Sequence, residues 1–135
     1  MNRRTFLMTT AAAALMPALA SATQNYTPGL VDELLAEGKT VFIDFKTDWC
    51  TTCAAQERVI GGLLSNNPEY AENIAFVNVD WDNYADDDLS IRLRIPRRST
   101  LVVLKGEEEL GRIVAGTSRS QIQALMDTAL TAAKA

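Results

Sequence analysis

Val41-Phe42-Ile43-Asp44-Phe45 is a nearly continuous apolar run, and a helical pattern begins only a few residues later at Cys50. Runs of this kind suit a central strand covered on both faces, so the rest of the chain must supply layers on either side. Ile74–Val79 is a second strand of the same character, and Leu101–Leu104 with Leu110–Val114 predict a hairpin about Lys105-Gly106-Glu107-Glu108. Between the strands lie helical patterns. Pro28–Glu37 places Leu30, Val31, Leu34 and Leu35 on one face and is stopped by Gly38. Cys50 to Leu64 turns Val59, Ile60, Leu63 and Leu64 inward, with Gly61-Gly62 weakening its later part. A short helix is expected around Asp86–Leu93. Ser118–Ala133 repeats Ile122, Leu125, Met126 and Ala129 at helical spacing behind a Ser118 cap. The order α-β-α-β-α-β-β-α predicts an α/β fold, a mixed central sheet with helices on both faces.

Residues 1–20 read as an address to be left out of the fold. Arg3-Arg4 opens a short apolar stretch that closes on Ala18-Leu19-Ala20, the pattern of a cleaved secretory signal. Asn2-Arg3-Arg4-Thr5-Phe6-Leu7 further resembles the twin-arginine signal of bacteria, so a periplasmic destination is expected. Residues 21–27 are expected to be a flexible lead and residues 28–135 one domain. Without Arg3 and Arg4, eleven basic residues face seventeen acidic ones, a charge of −6. Such a surface discourages binding to nucleic acid, which needs a basic patch. The acidic runs Asp86–Asp88 and Glu107–Glu109 are read as solvated loop faces.

The absence of histidine excludes a His base, a Ser-His-Asp triad and a His-ligated metal. Two cysteines are too few for a disulfide scaffold or a four-thiolate zinc site within one chain. They stand as Trp49-Cys50-Thr51-Thr52-Cys53, directly after a buried strand and at the opening of a helix. The partial positive charge of a helix N-terminus stabilises a thiolate, which makes Cys50 the expected nucleophile and Cys53, one turn on, the resolving thiol. A disulfide closing so short a loop is a poor staple, which favours a redox role over a structural one. The competing readings are a dimer that ligates a metal or iron–sulfur group through these thiolates, and a binding module without catalysis.

Val41 through Cys53, with Val77-Asn78-Val79-Asp80, Thr100–Lys105 and the last helix, resembles the thioredoxin family over nearly the whole chain after the signal. Asp48-Trp49-Cys50, with Glu57 four residues after Cys53, is most similar to the C-terminal thioredoxin-like domain of the periplasmic interchange protein DsbD. The resemblance implies a thioredoxin fold and dithiol–disulfide exchange with protein or peptide thiols and disulfides. A membrane redox partner is compatible with it. No cofactor and no metal are called for, and the mature protein is expected as a soluble monomer.

The same resemblance gives residue roles. Asp44 falls on the family's buried acid and would take the proton from Cys53 during resolution, its pKa raised by desolvation. The lysine that often partners this acid is replaced by Phe76. Trp49 forms a wall beside the sulfurs. Thioredoxins carry a cis-proline immediately before the Thr that opens the next strand. Aligning Thr100-Leu101-Val102-Val103-Leu104-Lys105 without a gap puts Ser99 there, three residues after Pro96. The alternative alignment makes Pro96 that proline and residues 97–99 a small insertion. At the sulfurs, the Ser99 hydroxyl would stabilise the Cys50 thiolate. Arg97 and Arg98 are expected on the rim, Arg98 among the substrate-docking residues with Trp49 and Ser99.

Overall fold

The computed structural model describes residues 22–135; the signal expected at residues 1–20 lies outside them. Five strands, β1 (Gln24–Asn25), β2 (Thr40–Lys46), β3 (Ala75–Asp80), β4 (Thr100–Lys105) and β5 (Glu108–Val114), form one sheet in the order β1-β3-β2-β4-β5. Among the described residues six helices accompany them: α1 (Leu30–Ala36), α2 (Thr51–Asn66), α3 (Glu69–Asn73), α4 (Trp81–Tyr84), α5 (Asp88–Arg92) and α6 (Arg119–Lys134). β1 and β2 run parallel to β3, whereas β4 is antiparallel to both β2 and β5. The sheet is therefore mixed, with β2 near its middle and bonded on both sides.

Alternation along β2 divides the core. Val41, Ile43 and Phe45 pack with Val31, Leu34 and Val102 on one face. Phe42 points the other way, onto Ile60 and Leu63 of α2 and Ile122 and Met126 of α6. Each fully buried side chain of this size contributes about 1.5–3 kcal/mol through removal from water. Asp44 shares the period-two face of Phe42, so the fold carries a carboxyl into the layer under α2. That position is set by register: Asp44 pairs with Asn78 on one side and Leu101 on the other.

Three expectations are corrected. Of the lead expected at residues 21–27, the described part, residues 22–27, is not free throughout: Gln24 and Asn25 pair with Val77 and Asn78. Tyr26 is buried, donating its hydroxyl to Asp87 at 2.6 Å and packing edge-on against Tyr84. A two-residue strand has no period to read, which is why the sequence pattern misses it. The acidic run at Asp86–Asp88 is more than a solvated face, because Asp87 caps α5 through the Leu89 amide as well as receiving Tyr26. Glu69–Asn73 and Trp81–Tyr84 are helical without having been expected, each too short to show periodicity.

Candidate active site

The strand β2 ends at Lys46, three residues of turn follow, and α2 begins at Thr51 with Cys50 as its N-cap. Cys50 is extended and its Sγ accepts the backbone N–H of Cys53 at 3.1 Å, filling the role that Ser or Asp plays at other helix starts. The sulfur thus lies at the positive end of a sixteen-residue helix. Cys53, one turn in, has no exposed surface, and the two sulfurs are unbridged.

Ser99 closes the site from across the sheet. Its Oγ is 3.2 Å from Cys50 Sγ and 3.1 Å from Cys53 Sγ, so one hydroxyl touches both sulfurs. The residue is fully buried with φ 66°, a left-handed conformation that an L-residue holds only when its surroundings fix it. The fixing groups are visible. Ser99 N–H donates to the Phe45 carbonyl at 2.7 Å, and Ser99 C=O accepts from Ala115 N–H at 2.8 Å and Gln56 Nε2 at 2.9 Å. Pro96 is exposed three residues upstream, and no peptide bond among the described residues is cis. The gapless alignment and the geometry put the same residue, Ser99, opposite the cysteines.

These contacts decide which sulfur ionises. Burial of the Cys50 thiol works to raise its pKa. Hydrogen bonds with Cys53 and Ser99, the Cys53 amide and the Arg98 guanidinium outweigh it and bring the thiol down to about 6. Cys53 moves up, chiefly through burial and then through its bond to Cys50, which takes the negative charge first. Both sulfurs are buried, and the pair divides into a Cys50 that ionises readily and a Cys53 that holds its proton.

Asp44 lies 4% exposed with Oδ1 lacking any hydrogen-bond partner. Burial, reinforced by Glu57 and by the Cys50 sulfur and opposed by Lys46, raises its pKa to about 7. Phe76 offers no charge, as its position in the sequence implies. The nearby cation is Lys46, two residues along the same strand and ion-paired with Glu57 of α2. Trp49 is 60% exposed, donates Nε1 to Asp82 at 2.9 Å and carries the Arg98 guanidinium 4.3 Å above its ring. Arg97 turns its Nε to the Arg98 carbonyl at 2.9 Å.

Gln56 is the site residue that sequence reasoning misses. It is fully buried, and its Nε2 donates to Ser99 C=O and, at 3.0 Å, to Gly116 C=O. One amide thereby ties the Ser99 turn to the segment after β5. The signal was present: Gln56 stands three residues after Cys53 and four before Ile60, on the inward face of α2.

The family model described as Thioredoxin matches residues 18–128. The chain belongs to the thioredoxin family. It is 31% identical to Thioredoxin H2-1 of rice (Oryza sativa subsp. japonica) over 90 residues, 67% of this chain and 60% of that protein. It is 30% identical to Thioredoxin-T of Drosophila melanogaster over 95 residues, 70% of this chain and 56% of that protein. The chain thus spans under two thirds of the length of these curated relatives. Among solved structures, Trxlp from Edwardsiella tarda EIB202 superposes with a TM-score of 0.65 at 25% identity, over 77% of this chain and 98% of that one. The thioredoxin of Malassezia sympodialis shares the fold, with a TM-score of 0.67 over 81% of this chain and 91% of that one at 23% identity. The thioredoxin fold is established, a mixed five-stranded sheet between helices.

Among the described residues no three His, Cys, Asp or Glu side chains gather as a metal site would require. No helix among them is long and apolar enough to cross a membrane.

Proposed function

We propose that the chain is a thiol–disulfide oxidoreductase acting on protein or peptide disulfides. The observation that carries this reading is the Cys50 sulfur at the start of α2, held by the Cys53 amide and the Ser99 hydroxyl, contacts that lower its pKa to about 6. In the reducing direction the Cys50 thiolate attacks one sulfur of the target disulfide. A Cys50–target mixed disulfide forms and the other target sulfur leaves as thiolate. Cys53 then gives its proton to the Asp44 carboxylate and attacks Cys50 Sγ. The Cys50–Cys53 disulfide forms, the second target thiolate departs, and two electrons have passed to the target. The reverse sequence oxidises a dithiol. Ser99, in contact with both sulfurs, stabilises whichever carries charge, and Trp49 with Arg98 offers the exposed surface on which a target rests.

The direct test is reduction of insulin disulfides with dithiothreitol as electron source. The expected result is catalysed precipitation of the B chain; a rate equal to dithiothreitol alone contradicts the reading.

We further place this activity in the periplasm, in a protein whose site is similar to the C-terminal domain of DsbD. Support comes from Asn2–Leu7 and Ala18-Leu19-Ala20 at the N-terminus, and from Asp48-Trp49-Cys50 with Glu57 at the site. Expression in a bacterium with a twin-arginine pathway should yield a periplasmic form beginning at Ser21. A full-length cytoplasmic product beginning at Met1 contradicts export.

A further inference from the structure

Two residues other than glycine meet beside the cysteines in left-handed conformation. Ser99 has φ 66° and Ala115 φ 60°, and the Ala115 N–H donates to the Ser99 carbonyl at 2.8 Å. Such conformations persist where several contacts over-determine them. The Gln56 amide supplies two of these contacts. Its Nε2 donates to Ser99 C=O at 2.9 Å and, at 3.0 Å, to the carbonyl of Gly116, the residue after Ala115.

An apolar side chain would suit the place of Gln56 better on packing grounds. The residue is fully buried on the inward face of α2, between Cys53 and Ile60, and its Oε1 has no hydrogen-bond partner. Leucine or methionine would bury no unsatisfied atom there. What the amide adds is a link. Ser99 N–H donates to Phe45 C=O and Ser99 C=O accepts from Ala115, contacts that fix the residue to β2 and to the end of β5. Gln56 ties the same backbone to α2, the helix that contains Cys53 and is capped by Cys50. Ser99 is therefore held by α2 at two points: its Oγ lies 3.2 and 3.1 Å from the two sulfurs, and its carbonyl sits on Gln56. Hydrogen bonds weaken steeply with misalignment, so the aim of this hydroxyl matters to the sulfur it touches.

We propose that Gln56 is a positioning residue for the cysteine pair, aiming the Ser99 hydroxyl at Cys50 Sγ and so setting the reactivity of that sulfur. The role belongs to the thiol–disulfide exchange proposed above. Alkylation reads the Cys50 sulfur without any disulfide substrate, so a negative insulin assay and a negative Gln56 result are distinguishable.

The experiment is the pH profile of Cys50 alkylation by iodoacetamide in Gln56→Met and Gln56→Leu, each alone and in the Ser99→Ala background. Both replacements remove the donor, keep a buried body of similar size and form helix well. Each should raise the midpoint by about 0.5–1 on the pH scale, a part of the shift that follows from losing the hydroxyl itself. In the Ser99→Ala background neither should move it further, since no hydroxyl is left to aim. In the unsubstituted protein the Gln56 side-chain amide resonances should shift with the Cys50 ionisation, and this coupling should fall in Ser99→Ala. A midpoint unmoved in either variant, an equal shift in the Ser99→Ala background, or Gln56 resonances indifferent to the Cys50 ionisation each overturns the proposal.

Discussion

Replacing Cys50 by serine is expected to reduce insulin-disulfide reduction to the uncatalysed rate, whereas replacing Cys53 by serine is expected to leave the first chemical step intact. The asymmetry follows from the site. Cys50 gains its reactivity by ionising near pH 6, and a serine hydroxyl in the same cradle stays protonated at any pH the protein tolerates. Cys53 is buried and its pKa is raised, so it is not the attacking sulfur, and a serine hydroxyl in its place can still donate to the Cys50 thiolate. Without it the mixed disulfide on Cys50 has no internal thiol to displace the target. Cys53→Ser should therefore accumulate a one-to-one covalent adduct with a disulfide substrate, seen as added intact mass that dithiothreitol removes. Adducts on Cys50→Ser instead, or catalysis retained by it, would reverse the assignment of the two sulfurs.

Asp44→Asn is expected to stabilise the protein above pH 7 by up to about 4 kcal/mol, because a pKa difference of one between folded and unfolded chains is worth about 1.36 kcal/mol. Burial raises the folded carboxyl from the ordinary 3.8 to about 7. Below about pH 4 the group is protonated in folded and unfolded chains alike and carries no penalty. As pH rises toward 7 the unfolded chain releases the proton while the folded chain retains it, and the stability contributed by this group is lost across that window. Asparagine removes the titration, and its own buried amide takes back part of the gain. Cys50 acts in the opposite sense, because its lowered pKa adds stability that disappears as pH falls through about 6. The readout is therefore the difference between urea denaturation curves of wild type and Asp44→Asn at each pH. A difference that grows from pH 4 to pH 8 is expected; a constant difference would mean that Asp44 does not titrate in this range. On the proposed mechanism, in which Asp44 receives the Cys53 proton, the same variant should resolve mixed disulfides more slowly.

The strands and long helices were legible because burial imposes a period on them. β2 announced itself by a run buried on both faces, and α6 by Ile122, Leu125, Met126 and Ala129 behind the Ser118 cap. The place of the cysteine pair was legible for a related reason, since it falls between a buried strand and the start of a helix. What escaped was short or depended on distant chain segments. β1 is held by Val77 and Asn78 rather than by any pattern of its own. Gln56 gains meaning only once Ser99 and Gly116 are brought to it, from 43 and 60 residues away. Lys46 could be seen beside Asp44 in the sequence, but its engagement with Glu57 belongs to the packing of α2 on β2. Ser99 lay between the two cases. The apolar run of β4 placed it by register, and its left-handed backbone with contacts to both sulfurs emerged from the fold.

The pH dependence of Cys50 alkylation in the reduced protein tests the central claim most directly. Iodoacetamide reacts with thiolate, so its rate traces the ionisation of this sulfur. A midpoint near 6 is expected. In Ser99→Ala the midpoint should rise by about 1–2 on the pH scale, because a hydrogen bond to a charged sulfur contributes about 1.5–3 kcal/mol. A midpoint near the ordinary thiol value of 9.0, unmoved by Ser99→Ala, would contradict the claim that the helix start and Ser99 together make Cys50 the nucleophile.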